Sequence, residues 1–138
     1  PRTGTRHLVP FDFAPQPPRR TRGKTAYLRG HSAEEQVARL YQRQGARLLH
    51  TRWRGQAGEI DLILERGAQV ICVEVKASAT HARAAESLRP RQIARLCAAA
   101  EEFRGTTPRG TLTDIRFDAA LVDQTGQIEI LENAIFPS

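Results

Sequence analysis

Two β-rich runs on either side of a short turn constrain this chain more than any other feature. Glu59-Ile60-Asp61-Leu62-Ile63-Leu64 alternates acidic and apolar residues before becoming apolar. Arg66-Gly67-Ala68 interrupts it, and Val70-Ile71-Cys72-Val73-Glu74-Val75-Lys76 returns with alternation at its far end. β-branched runs flanking a glycine turn predict an antiparallel hairpin. Strand residues two apart share a face, so Glu59 joins Asp61 and Glu74 joins Lys76. Pairing about Arg66-Gly67 sets Glu59 and Asp61 roughly opposite Glu74 and Cys72. Three carboxylates and a lysine then converge, and like charges crowded on a sheet are unfavourable unless a cation or the lysine compensates them.

The rest of the chain supplies helices and strands to pack on this hairpin. Ser32-Ala33-Glu34-Glu35 has capping-box spacing, and Val37, Leu40 and Tyr41 follow at helical period, so a helix is expected from about Ser32 to Gln44. Leu48 to Arg52 reads as a short strand, and Ala77 to Arg89, polar and rich in small residues, as a mobile loop. Pro90 suits the first position of a second helix whose apolar stripe is Ile93, Leu96, Cys97, Ala100 and Phe103, ending at Gly105. Ile115 to Val122 and Ile128 to Leu131 complete the strands. The order α-β-β-β-α-β(-β) predicts an α/β domain, a mixed sheet containing a β-meander and flanked by helices.

Charge divides the 138 residues into two parts. Of the 21 basic residues, seven lie between Pro1 and Arg29 against Asp12 alone, and the remainder of the chain balances fourteen basic with fourteen acidic residues. The net charge of +6 therefore sits in residues 1–29, which also hold five of the eight prolines and read as a flexible basic arm ahead of a domain spanning 30–138. Within the domain, Arg39, Arg43, Arg52 and Arg54 fall in an acid-free stretch, and Arg91 enters the second helix. These five are the candidate nucleic-acid contacts, with solvated helix faces as the alternative for each. Few aromatics argue against a base-stacking platform. No zinc-type spacing or phosphate-cradling glycine loop is present, and Cys72 and Cys97 read as reduced, packed thiols. The apolar runs are too short for a bilayer and no secretory stretch is visible, so a soluble, cytoplasmic protein without membrane association is expected.

Two carboxylates, Asp61 and Glu74, with the Val75 carbonyl beside them, are hard oxygen donors suited to Mg²⁺ or Mn²⁺ that leave coordination positions for water and a substrate phosphate. Such a cation polarises a phosphodiester, and Lys76 orients the attacking water or stabilises developing negative charge. Glu34, expected in the first turn of its helix, either reaches the same centre or simply favours the helix N-terminus.

Gly58-Glu59-Ile60-Asp61-Leu62-Ile63, Val73-Glu74-Val75-Lys76, Pro90-Arg91-Gln92 and Arg116-Phe117-Asp118 together resemble the YraN family of uncharacterised bacterial proteins, over about Gly30 to Phe136. That family resembles the PD-(D/E)xK nucleases, which include restriction endonucleases and archaeal Holliday-junction resolvases. The resemblance implies a restriction-endonuclease-like (tRNA-endonuclease-like) core, with Asp61 and Glu74 as metal carboxylates, Lys76 as the lysine and Glu34 as the helical acid of resolvase-like members. Glu59 matches a family position to which no role is assigned, and Gln92 reads as a solvated residue or as support for the site. The chain departs from the usual pattern at Ala46, where an aromatic is common, and at Cys72, where a bulky apolar residue is expected.

Two functions follow as expectations. One is a metal-dependent endonuclease acting on nucleic acid, DNA before RNA, and on branched forms in particular. The other is an accessory nucleic-acid-binding protein that keeps the fold with little catalysis and works with a partner protein. Cutting both strands needs two sites or two events, which makes a homodimer a further expectation.

Overall fold

The structure, a computed structural model, describes residues 6–9 and 22–135, with side chains over residues 32–135. Its strands are β1 (Arg6–Val9), β2 (Arg47–Arg54), β3 (Glu59–Arg66), β4 (Gln69–Ala77), β5 (Asp114–Val122) and β6 (Ile128–Leu131). The helices are α1 (Arg22–Arg43), α2 (His81–Glu86) and α3 (Pro90–Thr106), and a 3-10 turn covers Gly110–Leu112. All strands join one sheet in the order β1-β6-β5-β4-β3-β2. Each neighbouring pair is antiparallel except β4 and β5, which run parallel and are connected through α2 and α3. A parallel pair cannot be closed by a tight turn, so this helical crossover is what brings Asp114–Val122 alongside the hairpin. A mixed sheet built on a β-meander and flanked by helices is the expected α/β architecture, compatible with a restriction-endonuclease-like core.

Helices cover the sheet on both faces. Ala33, Val37, Leu40 and Tyr41 of α1 pack on Leu62, Leu64, Ile71 and Val73. Leu96, Ala99, Ala100 and Phe103 of α3 pack on Ile63, Cys72 and Phe117. β4 and β5 are therefore apolar on both sides, which explains why Val70–Val73 reads as a continuous apolar run rather than an alternation.

Four expectations are corrected. Helix α1 begins at Arg22, ten residues before Ser32, so the capping box is an interior turn and Glu34 lies well inside the helix. Gly30 does not end it, since one interior glycine costs only about 1 kcal/mol. The segment expected as a loop contains α2, started by Thr80, whose side chain accepts from the Arg83 amide at 3.1 Å. β2 is longer at both ends than expected and carries a bulge between Leu48 and His50 and a left-handed residue, Arg52, at φ 53°. In the hairpin, Gly67 at φ 60° allows a tighter turn, so Arg66 pairs with Gln69 and Cys72 with Ile63. The register slips by two from the expected one, and because two is the side-chain period, each residue of the paired ladder from Leu62 to Arg66 keeps its face. Of the expected arm, residues 1–5 and 10–21 lie outside the described residues; residues 6–9 form β1, antiparallel to β6, and Arg22 to Arg29 belong to α1.

A buried polar knot joins α1 to the sheet. Asp118, 0 % exposed, accepts from the Tyr41 hydroxyl at 2.6 Å, from Arg116 through Nε at 2.9 Å and Nη2 at 3.0 Å, and from the Asn133 amide at 2.8 Å. Burial and the Asp118 charge raise the Tyr41 phenol well above its ordinary range, so it remains a donor. Asp118→Ala should lower the unfolding free energy by about 3–5 kcal/mol, and Tyr41→Phe by about 2 kcal/mol, both read from urea denaturation. Losses near zero would show that this knot does not hold the helix to the sheet.

Candidate active site

The hairpin ladder opens at one end, and the acidic residues gather there. Its last pair is Leu62 with Val73, and the same count brings Asp61 level with Glu74. Instead of a backbone pair at this position, Asp61 Oδ2 accepts from the Val75 amide at 2.8 Å, so the carboxylate fills the gap between the strands. The strand also turns over here. Leu62 belongs to the core under α1, whereas Ile60, two residues earlier, belongs to the core under α3. Asp61 thus stands where the two faces meet.

Glu74 is 5 % exposed and its Oε2 accepts from two donors, Lys76 Nζ at 3.1 Å and Gln92 Nε2 at 3.0 Å. Gln92, in the first turn of α3, is thereby fixed in the site rather than left to solvent. Glu74 also shares a hydrogen bond with Asp61. Burial, then the Asp61 charge, pushes the Glu74 carboxyl up to about 8, against the pull of Lys76. Burial raises Asp61 as well, with the Val75 amide, Glu74 and Lys76 opposing. The pair therefore holds a shared proton at neutral pH, because one ammonium does not balance two desolvated carboxylates.

From α1, Glu34 approaches the same centre. Burial first, and the Asp61 charge next, raise its carboxyl, while Arg52 Nε at 3.3 Å from Oε1 favours its ionised form. Since α1 starts at Arg22, a role at the helix N-terminus is excluded for Glu34, and proximity to the carboxylate pair is what remains. Glu59 lines the cleft and pairs with Arg54 Nη2 at 3.4 Å.

The cleft over these groups encloses about 410 Å³ and is bounded by Ala57, Gly58, Glu59, Asp61, Glu74, Gln92, Arg95 and Leu96. One wall is the Gly55–Gly58 turn, held by a residue that sequence reasoning did not find. Glu102 of α3 accepts from the Gln56 amide at 2.9 Å and the Ala57 amide at 2.7 Å. Gly55 makes this approach possible, because a Cβ there would come within 2.6 Å of Glu102 Oε1. Arg95 also lines the cleft, three residues beyond Gln92 and so on the same helix face. Of the five candidate nucleic-acid contacts, Arg52 and Arg54 are paired with Glu34 and Glu59, and Arg91 lines a groove beside the cleft. Arg39 and Arg43 are exposed on α1 and line neither recess.

The donor chemistry fits a hard divalent cation. Asp61 and Glu74 offer carboxylate oxygens side by side at a cleft, and the Val75 carbonyl is the backbone oxygen expected to join them. Among the described residues no three His, Cys, Asp or Glu side chains form a ready ligand cage. Two carboxylates with the remaining positions left to water and substrate is the set that suits Mg²⁺ rather than an all-protein site. Among the described residues no helix is long and apolar enough to cross a membrane.

Comparison with known proteins gives a consistent family. Residues 33–122 match the model of the Uncharacterised protein family UPF0102. The chain is similar to a UPF0102 protein of Ruegeria pomeroyi, 55% identical over 114 residues, which are 83% of this chain and 93% of that protein. It is similar to one of Cereibacter sphaeroides, 54% identical over 81% of this chain and 96% of the relative. A UPF0102 protein of Dinoroseobacter shibae is 43% identical over 94% of this chain and 93% of its own length.

The carboxylate pair has a measurable signature in cation-free protein. Folded, Glu74 keeps its proton until about pH 8, whereas a carboxyl in the unfolded chain ionises near 4.5. Between those values the folded state binds more protons, so stability falls as pH rises, by at most about 1.4 kcal/mol per pH unit. Urea unfolding in EDTA should show this decline, and Glu74→Gln, which cannot titrate, should flatten it. An equally steep decline in the variant would place the dependence on another group.

Proposed function

The chain belongs to the UPF0102 family, which is the YraN family, and from that membership and the geometry of its cleft we propose that it is a divalent-metal-dependent endonuclease that hydrolyses phosphodiester bonds in nucleic acid, DNA before RNA. The observation that carries this reading is the pairing of buried Glu74 with half-buried Asp61 beside an open cleft, with Lys76 and Gln92 both on one Glu74 oxygen. A surface strand with ordinary acidic residues would have no reason to bury two carboxylates against each other.

Mg²⁺ or Mn²⁺, held by Asp61, Glu74 and the Val75 carbonyl, would supply charge neutralisation and polarisation of the phosphodiester. The chain's own groups divide the remaining work. Gln92 and the Val75 amide lock the rotamers of Glu74 and Asp61, so the carboxylates are held ready rather than reorganised on binding. Lys76, its ammonium 3.1 Å from Glu74 Oε2, would stabilise the negative charge that grows on the phosphate during attack. Glu34, paired with Arg52, adds an acidic side chain on the α1 side that would favour retention of the cation. The Gly55–Gly58 turn, clamped to α3 by Glu102, bounds the cleft beside Gln92 and Arg95.

Cleavage of end-labelled single-stranded, duplex, flap and four-way-junction DNA, and of RNA, with Mg²⁺, Mn²⁺ or EDTA tests this directly. Wild-type cleavage should require the cation. Glu74→Ala and Lys76→Ala should each lose at least about a hundredfold in rate, while binding in EDTA stays within a few-fold of wild type. Binding without cleavage of any substrate would overturn the nuclease reading in favour of an accessory binding protein.

A further inference from the structure

Beside the cleft runs a second recess of about 490 Å³, formed by Ser87, Arg89, Arg91, Gln92 and Arg95 where the chain passes from α2 into α3. Gln92 and Arg95 line both recesses, so the two adjoin at these side chains as neighbouring parts of one trough. The trough changes character along its length. Its floor at Asp61 and Glu74 is acidic, and its α3 end presents three exposed arginines. Along α3 the first acid is Glu101, beyond the end of the recess. The opposite side differs, because there Arg54 is engaged by Glu59 and Arg52 by Glu34. Among the described residues, Arg89, Arg91 and Arg95 have no ion pair or side-chain hydrogen bond to a neighbour, so their charge is open to an external anion.

We propose that this arginine groove seats the phosphates on one side of the scissile bond, so that the substrate backbone leaves the cleft over the start of α3 and not over the exposed arginines of α1. The inference rests on the reading of the cleft as a phosphodiester site and adds the direction in which the strand is held. Arginine suits such a role because its fork of donors matches phosphate oxygens and it stays charged at every working pH. Because the contact is made equally before and during bond breaking, the groove acts through affinity and not through the chemical step.

The test is fluorescence anisotropy of a short labelled DNA duplex in EDTA over a range of salt, beside steady-state cleavage with Mg²⁺. Wild type is compared with Arg91→Ala/Arg95→Ala, with Arg91→Lys/Arg95→Lys, and with Arg39→Ala/Arg43→Ala. The groove predicts that the first variant has a shallower dependence of log Kd on log salt, by about 1 for each arginine lost. KM should rise with kcat unchanged, and the lysine variant should restore the salt slope. An unchanged slope in the first variant, with the loss appearing in Arg39→Ala/Arg43→Ala, would overturn the groove and leave the nuclease reading standing. Wild-type protein that binds no duplex at low salt would overturn the nucleic-acid reading itself, and the groove with it.

Discussion

The desolvation of two adjacent carboxylates is the constraint around which this structure is organised. Asp61 and Glu74 can sit side by side only where the strands part, because an intact ladder would use the Val75 amide that Asp61 accepts from. They can remain there only with donors in place, and Lys76 and Gln92 arrive from different elements to meet one oxygen of Glu74. The strands beneath, β3 and β4, are packed with apolar side chains on both faces. Burial first, and the neighbouring Asp61 charge next, are what raise the Glu74 carboxyl, against the pull of Lys76.

Each element that reaches the pair is held by a polar tie some distance from it. Tyr41 anchors α1, and hence Glu34, to Asp118 of β5. Glu102 binds α3 to the turn that precedes Glu59, fixing both walls of the cleft with one side chain. His81 secures α2 by donating from Nε2 to the Gln127 carbonyl at 2.9 Å, which sets the approach to the arginine groove. The elements around the cleft are therefore positioned by contacts outside it, while Gln92 and the Val75 amide hold the carboxylates themselves.

What the sequence revealed follows from the range of the forces involved. Alternation is local, so the hairpin, β5 and β6 were readable, and face assignments survived a register error because the error was two residues. Pro90 and the apolar stripe behind it located α3. Helix α1 was cut short because a polar turn with Ser32 and Glu35 looks the same inside a helix as at its start. Helix α2 was missed because six residues carry too little periodicity to register. Glu102 gave no signal, since its partners lie 45 and 46 residues away and are backbone amides that any sequence possesses. Asp61, Glu74 and Lys76 were visible as a pattern of charge, but their joining with Gln92 depends on how α3 docks, which only the packed fold determines.

The irregular backbone of β2 has a consequence for the molecule as a whole. This strand forms the outer edge of the sheet, and an edge ordinarily offers a row of free amides and carbonyls to any passing strand. The bulge between Leu48 and His50 breaks that row at one end, and the left-handed turn at Arg52 breaks it again near the other. Arg47, Arg52 and Arg54 along the same border are each paired with an acid of this chain, Glu65, Glu34 and Glu59, so their side chains are already engaged within the molecule. The same distortion that sets Arg52 near Glu34 thus also leaves this edge with a broken row of amides and carbonyls, a poor template for a neighbouring strand.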